Sequence, residues 1–217
     1  MIENEFSTIV IVAQSFNPSI FTEDWLARNG IISLDKLEGV RIFSPQIAQF
    51  QTAEVQIAVT PPTMQITLNT QNPKVDIHMH QHIAIKTATL LPHTPFQAVG
   101  LNFEYFVAPP PELDFRRYNN KLHGTGDYKL FDEFKSNDAK FGRYFSKDYG
   151  DARLKLNIFP VQATKEKKDL LRFSFNFHHD LEKIDFQNRA KKIIQLIGTW
   201  ESLYKYSNKL VEIGSTL

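Results

Sequence analysis

The chain contains no cysteine. Disulfide scaffolds, thiolate nucleophiles, Cys-ligated zinc and iron–sulfur clusters are therefore excluded. An excess of charge is missing too: Lys+Arg is 25 against Asp+Glu 24, a formal net charge of +1. Generic binding to nucleic acid or to a membrane surface usually rests on a concentrated basic excess, which this composition lacks. Long apolar runs are also absent. The longest, Ile9–Ala13, falls far short of the roughly 20 residues a bilayer span needs. The opening MIENEFSTIVIVAQSF has neither a basic leader nor a small-residue cleavage pattern. No signal peptide and no membrane partner are expected, and the chain reads as cytoplasmic.

What is present is core material. Of 217 residues, 42% are apolar and 18 are phenylalanine, enough to bury a sizeable core in one large domain or two small halves. Phe6–Gln14 is β-branched and apolar on both faces, as a strand covered on both sides would be. Thr22 is placed to cap a short helix with Trp25 and Leu26 inward and Gly30 to end it. Val40 and Ile42 mark a short strand. Val55, Ile57 and Val59, then Met64, Ile66 and Leu68, alternate with polar residues on either side of Thr60-Pro61-Pro62-Thr63. That pattern predicts two antiparallel strands and a tight loop.

Asn72–Val107 is the stretch on which most depends. As a strand, Val75–Leu91 would turn His78, His80 and His82 to one side, where three imidazoles could hold a zinc ion. As a helix, only His78 and His82 share a face, and Met79 stands where a HExxH motif needs its glutamate. Asn72 as N-cap, Pro73 at the first helical position and Pro92 at the end favour the helix. After Pro95, Val99, Leu101, Phe103 and Tyr105 alternate with Gly100, Asn102 and Glu104, predicting a strand with one wet face.

Ala108-Pro109-Pro110-Pro111 reads as a stiff connector. Beyond it, residues 112–151 are irregular and rich in aromatics, among them Phe115, Tyr118, Phe141 and Tyr144. That many rings argue for an ordered excursion packed on the sheet or on a partner. Asp127 is placed to cap a short helix with Leu130, Phe131 and Phe134 inward. Leu154, Leu156 and Ile158, then Leu171, Phe173, Phe175 and Phe177, predict a hairpin. From Asp185 onward, Ala190, Ile193, Ile197, Trp200, Leu203 and Val211 predict one long amphipathic helix.

Other constellations are weaker. His178-His179-Asp180 follows a strand end, but adjacent residues diverge and no serine sits on a Gly-rich elbow, so Asp180 is expected to cap a turn. Gly124-Thr125-Gly126 lacks the GK[ST] ending of a phosphate loop. Arg153, Lys155 and Arg172 could face single-stranded nucleic acid, although the hairpin's aromatics are expected on the opposite side.

These observations predict an α+β fold: a largely antiparallel sheet, helices packed on one face and a long C-terminal amphipathic helix. The Asn-Phe strands at Leu101–Phe103 and Phe175–Phe177 raise the further expectation of two related halves. The segments are 1–107, an α+β half; 108–151, the aromatic excursion; and 152–217, a hairpin plus the helix, expected to form one continuous domain. The expected function is a non-enzymatic binding or assembly protein, without a cofactor. Its partner would be another protein or a second copy, met through Phe115, Tyr118, Phe141 and Tyr144 or through an open sheet edge. The alternatives are a zinc enzyme built on His78, His80 and His82, and a single-stranded nucleic-acid-binding module.

Overall fold

Two long strands run antiparallel through the middle of the molecule, β1 (Ile2–Ala13) and β6 (Phe96–Val107), with Ile9 opposite Leu101 and Ile11 opposite Val99. In the computed structural model, residues 2–69, 76–124, 126, 129–136, 138–163 and 167–216 are described. On the far side of β1 lie β5 (Thr63–Leu68), β4 (Val55–Val59), β3 (Ala48–Gln51) and β2 (Glu38–Phe43). On the far side of β6 lie β9 (Lys168–Asp180), β8 (Ala152–Ala163) and β7 (Arg143–Tyr149). The result is one antiparallel sheet of nine described strands, in the order β2-β3-β4-β5-β1-β6-β9-β8-β7.

One side of this sheet is the core. Period-two alternation sends Ile9, Ile57, Ile66, Leu101, Phe103, Leu156, Phe175 and Phe177 to it, all buried. The helices α2 (Met79–Leu90), α5 (Phe186–Ile197) and α6 (Trp200–Ser215) cover that side. Ile83 and Ala84 of α2, Ile193 and Ile197 of α5, and Trp200 and Leu203 of α6 supply the inward stripe. The class is therefore α+β, with an antiparallel sheet and a helical layer.

Local signals explain the boundaries. Thr22 Oγ1 accepts the Trp25 N–H at 3.2 Å and starts α1 (Glu23–Arg28), which ends before Gly30 at a φ of +60°. The β4–β5 hairpin closes through Thr60 N–H to the Thr63 carbonyl at 2.8 Å. Its prolines, which have no N–H to give, use their carbonyls instead: Pro61 and Pro62 accept from Phe16 and Ala13 at the end of β1. The β8–β9 hairpin pairs Leu154 with Phe177, Leu156 with Phe175 and Ile158 with Phe173.

Four expectations require correction. β1 is covered by helices on one side, not both: Ile9 and Ile11 are buried, while Val10 and Val12 on the other face are half-exposed. The long terminal helix is two helices, broken at Gly198-Thr199, where the Gly198 N–H still reaches the Ile194 carbonyl at 3.1 Å. Residues 112–151 contain a regular edge strand, β7, after the helices α3 (Phe115–His123) and α4 (Leu130–Glu133). Leu130 and Phe134 point outward, so α4 has no buried stripe; the proposed cap Asp127 lies outside the described residues.

The chain does repeat an order of elements. Each half runs from a long central strand through an excursion with a short helix, then returns by a meander that pairs back onto that strand, and a helix follows. The Asn-Phe match does not mark this repeat. β6 opens the second half and β9 closes it, so Asn102 and Asn176 are direct cross-strand neighbours, not counterparts in the two halves.

Candidate functional site

The histidine run lies on a helix, and the helix separates its members. Asn72, Pro73 and Val75 lie outside the described residues; α2 starts at Met79, with His78 in the capping position and its N–H bonded to Asp76 Oδ1 at 2.9 Å. His78 Nδ1 accepts from the Gln81 side chain at 3.2 Å, out at the surface. His82, also exposed, donates through Nε2 to the Gly30 carbonyl at 3.2 Å. His80 points the other way, into the core. The three imidazoles do not converge. Among the described residues, no group of three or more His, Asp or Glu side chains is placed to hold a metal ion.

His80 meets a serine on the central strand. The indole N–H of Trp200 donates to Ser7 Oγ at 2.8 Å, and the same oxygen is hydrogen-bonded to His80 Nε2 at 3.3 Å. The His80 ring stands edge-on to Trp200, centroids 5.0 Å apart. Burial lowers the His80 pKa to about 4, with the neighbouring His78 adding to the fall and the Ile77 backbone and Asp76 opposing it. A neutral imidazole bonded to a serine resembles a catalytic dyad in composition only. Ser7 and His80 are both buried, and His80 Nδ1 makes no hydrogen bond of good geometry to an orienting group. The trio ties β1, α2 and α6 together.

His178-His179-Asp180 divides as strand geometry requires. His178 faces out on the open side, His179 is buried on the helix side, and Asp180 Oδ1 accepts the Glu182 N–H at 2.8 Å, capping the turn. Desolvation, opposed chiefly by the backbone and charge of Asp151, lowers the His179 pKa.

On the open side of the sheet, Thr67, Thr8, Asn102, Asn176 and Lys155 stand in one row across five strands. Asn176 Nδ2 donates to Asn102 Oδ1 at 2.6 Å. Two of the cations expected to meet nucleic acid are already paired: Arg172 with Glu104, and Arg153 with Asp148 at 3.0 Å. Aromatic rings do stand here, against expectation. Phe106 and Phe159 flank the Arg172 guanidinium at 5.9 and 5.3 Å from their centroids, because β8 continues past Ile158 and its next residue faces the open side.

The four aromatics chosen as partner contacts are also separated. Tyr118 is buried and its hydroxyl donates to the Ser215 carbonyl at 2.8 Å. Phe115 is half-buried beneath the Lys140 ammonium, and Phe141 packs edge-on against Phe131. Tyr144 is 58% exposed. Beside it on β7, Phe145 is 49% exposed, a residue that the sequence reading passed over. Its signal was alternation: Phe145, Lys147 and Tyr149 face the helices, and Tyr144, Ser146 and Asp148 the open side.

β7 is also one of the two sheet edges. Its pairing with β8 runs without interruption from Arg143 to Tyr149. The other edge, β2, shifts register between Glu38 and Ile42, a bulge that breaks up its hydrogen-bonding row. Comparison with protein-family models gave no match, and comparison with curated proteins gave none either. Among the described residues, no helix is long and apolar enough to cross a membrane.

Proposed function

We propose that this protein is a non-catalytic assembly protein that joins a second copy of itself along β7. The observation that carries this reading is the unbroken β7 edge with Tyr144 and Phe145 exposed upon it. A regular edge strand offers a row of unpaired backbone donors and acceptors, and natural sheets usually blunt such a row. The sequence of β7 is self-complementary about Ser146. In a two-fold antiparallel pairing, Ser146 meets Ser146 of the second copy, Phe145 meets Lys147, and Tyr144 meets Asp148. The central serine pair can exchange a hydrogen bond, and Lys147 can lie on the Phe145 ring. Two hydroxyls meet at the centre, an aromatic ring meets a charged residue on either side, and no like charges are opposed.

Light scattering over a range of concentrations tests the proposal. A dimer is expected, weakened at least tenfold in Tyr144→Asp, which sets two carboxylates opposite each other. Mixing Tyr144→Asp with Asp148→Lys should restore a heterodimer, because the pair becomes Asp against Lys. A wild-type chain that stays monomeric at every concentration overturns the reading, as does a Tyr144→Asp dimer of unchanged strength.

A further inference from the structure

A cavity of about 530 Å³ lies on the helix side of β7 and β8, walled by α3 and α6. That is within the usual size range of small-molecule sites. Its floor is Leu154, Leu156 and Ile158 of β8, and Leu210 and Ile213 of α6 close one side. Ile213 is 63% exposed at the mouth and Phe145 stands opposite, so apolar surface continues from the floor to solvent.

The charges around this cavity have one sign. Arg143 and Lys147 line it from the same face of β7, and no carboxylate is among the lining residues. Arg143 and Lys147 are four steps apart along the strand, about 13 Å between their Cα atoms. Lys147 is engaged: its ammonium donates to the Tyr206 hydroxyl at 2.8 Å and lies 5.3 Å from the centre of that ring. Arg143 has no acidic partner among the described residues. His123, which also lines the wall, is only 5% exposed and neither ring nitrogen has a hydrogen-bond partner. Burial and the nearby Arg143 charge hold its pKa down at about 4, so it adds no third charge near neutrality.

We propose that this cavity binds a small amphipathic carboxylate, an alkyl or aryl acid. Its apolar tail lies along Leu154 and Leu156, and its carboxylate sits against the Arg143 guanidinium. A planar guanidinium presents a fork of donors that matches a carboxylate, whereas a neutral or cationic head group would leave it unanswered. The cavity shares Phe145, Ser146 and Lys147 with the proposed β7 pairing, whereas Arg143, Leu154 and Leu156 lie outside that pairing and distinguish ligand binding from self-assembly.

Calorimetric titration of the full chain with decanoate, 1-decanol and decyltrimethylammonium tests the assignment below the micelle concentration of each. Decanoate should bind with one equivalent per chain, decanol at least tenfold more weakly, and the cation not at all. Arg143→Gln should weaken decanoate at least tenfold, and Leu156→Trp, which fills the floor, should abolish its binding. Tyr144→Asp should leave it unchanged. In the unaltered protein, decanoate should also slow phenylglyoxal modification of Arg143 but not of the exposed Arg28, a readout that needs no variant to fold. Equal binding of all three probes, or no protection of Arg143, overturns the proposal.

Discussion

Trp200 donates its indole N–H to Ser7 Oγ at 2.8 Å across a sequence separation of 193 residues. That bond joins the central strand to the C-terminal helix at a point from which water is excluded. Ser7→Ala leaves the indole donor and the His80 ring nitrogen without a partner. Unsatisfied buried groups cost about 1–3 kcal/mol each. Chemical denaturation should show a loss of about 2 kcal/mol or more for Ser7→Ala, and Trp200→Phe should relieve part of it in the double variant by removing the orphaned donor.

The same histidine sets a pH dependence. The unfolded chain protonates His80 near its ordinary value of 6.5 and the folded chain only at about 4. The neutral imidazole therefore stabilises the fold fully above pH 6.5, and that contribution is lost as pH falls from 6.5 toward 4. His123, lowered to about 4 by burial, adds in the same direction. Each shift corresponds to at most about 3 kcal/mol. Urea titrations at pH 7 and pH 5 should show the drop, and His80→Asn should be less stable at pH 7 but lose less on acidification.

Arg189 places its guanidinium between three backbone carbonyls: Nε on Ile184 at 3.0 Å, Nη1 on Phe96 at 2.8 Å and Nη2 on Glu182 at 3.0 Å. It thereby fixes the start of α5 to the start of β6. Hydrogen bonds from a charged donor are worth about 1.5–3 kcal/mol, so Arg189→Met should cost about 2 kcal/mol or more. Arg189→Lys should recover little of this, since an ammonium lacks the planar fork. Thermal unfolding of the three proteins checks the order.

Gly214 allows α6 to approach β9. A Cβ there would lie 2.8 Å from Cε1 of the buried Phe173 ring. Gly214→Val should destabilise by about 1–3 kcal/mol through overpacking, and hydrogen exchange should show the last turn of α6 opening first.

Much of this architecture was legible in the sequence. Period two in Val55–Leu68, Val99–Tyr105 and the Leu154–Phe177 hairpin corresponds to observed strands and faces, because burying one face of a sheet imposes that alternation. The Thr22 and Asp185 caps are likewise visible as side chains accepting helix N–H bonds. What escaped was decided by tertiary neighbours. β7 carries charged and aromatic residues on both faces, so its pattern is set by lying at an edge and not by burial. The break at Gly198 interrupts an apolar spacing that continues through it unchanged, which hides it from any periodicity argument. His80 is buried while His78 and His82 are not, a difference that follows from the direction in which α2 faces the sheet. At the i, i+2, i+4 spacing of His78, His80 and His82 a helix cannot bring the three imidazoles together.

The strand order has a consequence for how the chain acquires its structure. β1 precedes the other described strands in synthesis, yet one of its neighbours, β6, begins at Phe96 and the side chain that satisfies Ser7 arrives only with Trp200. The last strand, β9, must enter between β6 and β8. Native contacts thus join distant parts of the chain, a high contact order of the kind that places folding in milliseconds to seconds rather than microseconds. During synthesis, β1 spends that interval with an apolar face and an open ladder of amides exposed. A nascent chain interrupted before β6 presents the central strand to any other strand within reach.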